Sequence, residues 1–194
     1  MFAGDMLFYG QWGSGADALS GTWERVQQSD PAHLVAGGLT SLIGGLGYAV
    51  GSAHVYGRMR SKNRWLKLAI GGCFLSIAII AAATHAVWGS FALAINSEAP
   101  NALQIGDYLA VYFQLGGVIG AIASILLAVA VLTRQSDWPL WFVLINPGAI
   151  YLLLSTAAYL PAPIGAPLVG GAFNIALMAF YGISLLTPHR PATI

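Results

Sequence analysis

"AAATHAVWGSFALAIN" (81–96) is the stretch whose reading decides the fold. It closes an apolar run that begins near Trp65 and continues to Asn96 without a Lys, Arg, Asp or Glu after Lys67. About 20 apolar residues suffice to cross roughly 30 Å of hydrocarbon, so this run is longer than one crossing needs and is expected to tilt or emerge from the bilayer. An imidazole, His85, sits in the middle of it. An ionisable ring at membrane depth costs several kcal/mol unless it faces protein or water, and it is therefore a functional-site hypothesis.

The rest of the chain agrees with a membrane setting. Of its 194 residues, 57% are hydrophobic and 8% charged, whereas soluble domains carry roughly 25% charged residues. A formal net charge of +1 supplies no basic field for nucleic acid, so no nucleic-acid partner is expected. The single cysteine, Cys73, excludes an internal disulfide framework and a thiolate zinc cluster. "MFAGDMLFYG" (1–10) lacks the basic leader and small-residue cleavage site of a signal peptide.

Working outward, further apolar runs lie at about 32–57, 105–133, 138–160 and 167–187. In lipid every backbone amide needs a partner within its own segment, so these runs read as helices. Asp30 and Pro31 read as cap and first residue of the earliest one. The first ten residues are apolar but extend only about 15 Å as a helix, half a crossing. The expected fold is all-α: one polytopic domain over 1–194, with a half-helix at 1–12, an external interfacial connector at 13–30, and five full transmembrane helices over 31–190. Leu19, Trp23 and Val26 share a face in the connector, as in a helix lying on a membrane.

Arg58, Arg60, Lys62, Arg64 and Lys67 crowd one connection, which places 58–67 in the cytoplasm of an inner (plasma) membrane, with Arg134, Arg190 and the C-terminus on the same side. Glu24, Asp30 and Glu98 then fall outside, and Trp65, Trp138 and Trp141 mark the inner aromatic belt. Gly37, Ser41, Gly45 and Tyr48 share one helix face, and Gly116, Gly117 and Gly120 recur in the helix at 105–133. Small residues at this spacing let helix backbones approach closely.

His85, Trp88, Gly89, Ala92 and Asn96 form one helical stripe. Asp107 and Gln114 share a face of the next helix, and Asn174 aligns with Met178 and Tyr181. Asp5, His85, Asp107, Gln114 and Asn174 thus fall at comparable heights on different helices. Brought together they form an outward-leaning polar pocket in which a carboxylate, Asp5 or Asp107, orients the His85 ring for acid–base work. Tyr112, Tyr181, Trp88, Asn96 and Asn146 are candidate ligand-binding residues around it. Structural alternatives stay open for each. His85 can simply hydrogen-bond across a helix pair, Asp107 can cap the helix starting near Ile105, and Gln114 and Asn174 can serve as interhelical glue. Asn146 can satisfy a proline kink at Pro147.

No HExxH, GxSxG or P-loop pattern occurs, so metalloprotease, serine-hydrolase and nucleotide-driven chemistries lose support, and no metal or cofactor is expected. "GDMLFYG" (4–10), "ATHAVWGSF" (83–91) and "DWPLWFVLINP" (137–147) together resemble a family of small bacterial multi-pass membrane proteins of unassigned function. The resemblance implies a six-helix pattern with Asp5, His85 and Asn146 at positions the family's pattern also shows. It implies a complete helix leading into the Gly-Asp pair, so either a shortened first helix or an upstream start is expected. The functional expectation is a membrane protein binding a hydrophobic small molecule, a membrane lipid or isoprenoid, with acid–base catalysis at His85. The alternatives are a non-catalytic structural subunit of a larger membrane complex or homo-oligomer, packed through glycine-rich faces, and a proton-coupled small-solute carrier.

Overall fold

The computed structural model describes residues 1–10, 13–19 and 22–188. His189 and Arg190, and the side chains of Leu19, Trp23 and Glu24, lie outside what is described. Among the described residues all regular structure is helical, apart from an isolated antiparallel bridge between Met59 and Ser136. Helix α1 spans Phe2–Tyr9, α2 Gly15–Leu19, α3 Thr22–Gln28, α4 Pro31–Gly57, α5 Arg64–Asn96 and α6 Ala102–Leu132. Then follow α7 (Pro147–Ser155), α8 (Gly165–Gly170) and α9 (Ala172–Leu186), with tighter 3-10 turns at Leu140–Ile145 and Thr156–Tyr159.

Three helices, α4, α5 and α6, are long and apolar enough to cross a membrane. Their 27, 33 and 31 residues extend about 40–50 Å at roughly 1.5 Å per residue. Their boundaries have local causes. The Asp30 carboxylate accepts from the Ala32 amide at 2.8 Å with Pro31 in the first helical position. The Asn63 side chain accepts from Trp65 and Leu66 to start α5. At the far ends of α5 and α6, Glu98 and Arg134 turn to φ 53° and 58°, and the next amides reach back to Ala94 and Ala130 at 2.8 Å. That closure satisfies orphan carbonyls in the left-handed geometry usually given to glycine.

The last two apolar segments differ from expectation. The run at 138–160 is not one helix: Asn146 is extended at φ −56°, ψ 134°, ending the 3-10 turn and capping α7. A residue preceding proline is pushed out of the helical region, and proline is at home as the first residue of a new helix. Asn146 and Pro147 therefore start a helix rather than kink one. The second run breaks at Gly171, whose absent Cβ would meet the Phe2 ring, so α1 seats against the interruption.

Helices α4, α5 and α6 pack as successive antiparallel neighbours, and α1 lies along α4. One apolar cluster, with Phe74, Trp138, Phe142 and Phe180, fills the end near the 58–63 connection; a second, with Phe8, Leu34, Trp88 and Phe91, fills the other. Trp138 is buried within the first, its indole N–H donating to Ser184 Oγ at 2.9 Å, so it does not sit in an aromatic belt. Trp65 and Trp141 are exposed.

Candidate functional site

The site is built on α1, whose approach to α4 depends on missing side chains. A Cβ on Gly4 would collide with Ser41 Oγ and lie 2.8 Å from the Gly37 carbonyl oxygen. Phe8, one turn along, fills the groove over Gly37 and stacks against His85, ring centroids 6.3 Å apart at 27°. This seating turns Asp5 away from the surface and into the bundle, where it is buried.

There Asp5 meets α5 and α9. Its Oδ1 lies 2.8 Å from His85 Nε2, and its Oδ2 accepts from Asn174 Nδ2 at 2.5 Å. The Tyr48 hydroxyl donates to Asn174 Oδ1 at 2.9 Å, which fixes the amide so that its NH2 faces the carboxyl group. His85 Nδ1 lies 2.7 Å from the Ala81 carbonyl oxygen. A carbonyl only accepts, so Nδ1 carries a hydrogen, and the line from Nε2 to Asp5 then holds one further proton. That proton belongs either to an imidazolium facing a carboxylate or to a carboxylic acid facing a neutral ring. The pair is neutral overall in both assignments, and moving the proton leaves every hydrogen bond in place.

The pair opens on a cavity of about 1520 Å³ walled by α5, α6, α7 and the α8–α9 segment. It exists because α6 packs on α5 but leaves space in front of α9. The wall is mostly apolar: Phe74, Ile77, Trp88 and Phe91 from α5, Phe113 and the glycines 116, 117 and 120 from α6, Phe173 and Leu177 from α9. Asp5, His85 and Asn174 form its buried polar floor.

The other sequence candidates are placed unevenly. Trp88 and Tyr112 line the cavity. Asp107 lines it too, but as an exposed residue inside α6; that helix begins at Ala102, so Asp107 does not cap it and makes no hydrogen bond or ion pair among the described residues. Gln114 is exposed and outside the cavity wall. Asn146 lies on the wall with its side chain engaged: Nδ2 donates to the Ser124 carbonyl at 2.7 Å, and Oδ1 accepts from the Gly148 amide at 2.9 Å. Tyr181 packs among Tyr48, Phe74 and Phe180 away from the cavity. Asn96 donates to the carbonyls of Gln27 and Ser29 at 2.9 and 3.0 Å, tying the segment before α4 to α5.

Two groups were missed by sequence reasoning. Tyr48 completes the network; the signal was its place on the Gly37–Ser41–Gly45 face, which reads as packing alone. At the opposite end Asp137 pairs with Arg60 at 3.0 Å and Arg58 at 3.6 Å, while Arg58 also donates to the Thr187 carbonyl at 2.9 Å. Burial draws the Arg58 guanidinium below its ordinary pKa, and Asp137 opposes that shift. This clamp joins the 58–63 and 133–139 connections to the end of α9. Among the described residues no three His, Cys, Asp or Glu side chains are grouped to hold a metal ion. No family model, curated protein or solved structure matches the chain.

Proposed function

We propose that the chain is an integral membrane protein that holds an apolar small molecule, of lipid or isoprenoid class, in the cleft between α5, α6, α7 and α9. Its polar end sits at the Asp5–His85 pair. The observation that carries the reading is one large, mainly apolar cavity with a buried, hydrogen-bonded Asp–His pair on its floor. A proton-sharing pair can lend its proton to a bound polar head or receive one from it, with Asn174 holding the carboxyl group and Ala81 holding the ring. Acid–base chemistry on the ligand is the activity this arrangement suits, with His85 as proton carrier and Asp5 as its partner.

On this reading the bundle has five crossings and a half-length α1. The pieces from Leu140 to Tyr159, and those from Gly165 to Leu186, each extend roughly 33 Å, enough for the hydrocarbon layer. Their interruptions are compatible with membrane depth because non-helical backbone is tolerated where protein buries it, and Asn146 and Pro147 are both buried. The basic connection 58–67 is assigned to the cytoplasm of the plasma membrane; Arg64 over Trp65 and Lys67 over Tyr56 (4.7 and 4.9 Å to the ring centroids) suit an interface.

Gly117 offers the test, since it lines the cavity and a Cβ there meets nothing within 4 Å. The chain and its Gly117→Trp variant are purified in mild detergent, extracted with organic solvent and analysed by mass spectrometry. An apolar species is expected with the unsubstituted chain and is lost from the variant, whose melting temperature is unchanged or raised. The same species in equal amount on both would refute the reading. Recovery of partner chains with no small molecule would favour the structural-subunit alternative.

A further inference from the structure

The cleft's charge carries information about the head group it accepts. None of the residues lining it is Lys or Arg. The Asp5–His85 pair contributes no net charge wherever its proton lies, so the formal charge of the wall is that of Asp107, an exposed carboxylate on α6 that makes no hydrogen bond or ion pair among the described residues. The remaining hydrogen-bonding capacity of the floor is biased towards acceptance. Asp5 uses one lone pair of each oxygen for His85 and Asn174, and a carboxylate offers about four. Around these acceptors stand aromatic rings: Phe74, Trp88, Phe91, Phe113, Tyr151 and Phe173 all line the space. Aromatic faces attract ammonium groups, most strongly when water is excluded.

An anionic head placed here meets a carboxylate, a neutral pair and ring faces of negative potential, with no cation to compensate its lost hydration. An ammonium head meets the reverse. Resting on the ligand-cleft reading above, we propose that the cleft selects amphiphiles carrying an organic ammonium head over those carrying a carboxylate, phosphate or sulfate. Asp107 supplies the charge selectivity and the Asp5–His85–Asn174 floor supplies hydrogen-bond acceptors for the ammonium hydrogens.

Three probes of equal chain length separate the contributions: decylamine, decanol and decanoate. Their binding to the full chain in phosphatidylcholine nanodiscs is measured by titration calorimetry near neutral pH, with empty nanodiscs subtracted. Decylamine is expected to bind at least about tenfold more tightly than decanoate, a ratio that one uncompensated carboxylate on the cleft wall supplies between heads of opposite charge. Decanol falls between them. In Asp107→Asn, which folds because that side chain is exposed and unbonded, the amine-to-carboxylate ratio drops towards one while decanol binding is unchanged. Equal binding of all three probes to the unsubstituted chain would overturn the charge selectivity and leave the ligand cleft standing. A full amine preference in Asp107→Asn would overturn its assignment to Asp107. Failure of all three to bind above empty nanodiscs would sink the cleft reading and this inference together.

Discussion

Replacing Asp5 by alanine or by asparagine separates the hydrogen-bonding role of this residue from its charge. Alanine removes both oxygens at once, so His85 Nε2 and Asn174 Nδ2 lose the partners they hold at 2.8 and 2.5 Å. Each orphaned buried polar group costs about 1–3 kcal/mol. Asp5 faces the cavity, where water can take its place in part, so the loss is expected at about 2–4 kcal/mol, or roughly 5–15 °C in melting temperature. Asparagine behaves differently. Its NH2 donates to a neutral Nε2 while its oxygen accepts from Asn174, reproducing the acid–neutral-ring assignment with the proton locked in place. Asp5→Asn should therefore melt within about 1 kcal/mol of the unsubstituted chain, yet lose any reaction that moves that proton. Thermal unfolding in maltoside detergent, followed by size-exclusion chromatography, measures both variants. If Asp5→Asn falls as far as Asp5→Ala, the one-proton reasoning is wrong; if Asp5→Ala melts like the parent, the network does not hold the helices together.

Other consequences are independent of that pair. Gly4→Ala should cost about 1–3 kcal/mol, because the backbone carbonyl of Gly37 cannot rotate away from the added Cβ as a side chain could; cross-linking of cysteines placed on α1 and α4 would report the displaced helix. Asn146→Ala removes the cap of α7 and its tie to Ser124, and a loss of about 1–3 kcal/mol is expected in the same melting assay. Glu98→Gly should stabilise by about 0.5–1 kcal/mol, since φ 53° there strains any residue with a Cβ; a lowered melting temperature would contradict the left-handed cap. Asn96→Ala should free the connector at 26–29, visible as faster amide hydrogen exchange over α3 with little change in α5.

The three long helices were legible because length and apolarity act along one dimension, and the Asp30-Pro31 start followed from local capping chemistry. Height along the bundle was legible for the same reason: Asp5, His85 and Asn174 meet at one level because each is counted from its own segment's end. The path of the cavity between the helices was not. Asp107 and Gln114 sit about two turns apart on nearly one face of α6, yet the first lies on the cavity wall and the second outside it. Tyr48 was hidden because a residue on a glycine-rich face reads as packing until its partner on α9 is known. The Asn146-Pro147 break shows a local rule outweighing an apolar run: hydropathy is continuous across 138–160, but the restriction on the residue before proline governs the backbone. Trp138 read as part of the aromatic belt, and Asp137 was not singled out, because the sequence does not reveal that Arg58, Arg60 and Ser184 converge on them.

The most direct test is an experimental density map of the chain taken from native membranes in mild detergent. The account predicts elongated density between α5, α6, α7 and α9, its polar end within hydrogen-bonding distance of Asp5 and beside His85. A map in which α6 closes against α9 and fills that space with side chains, or in which the imidazole has turned out to face lipid, would contradict it.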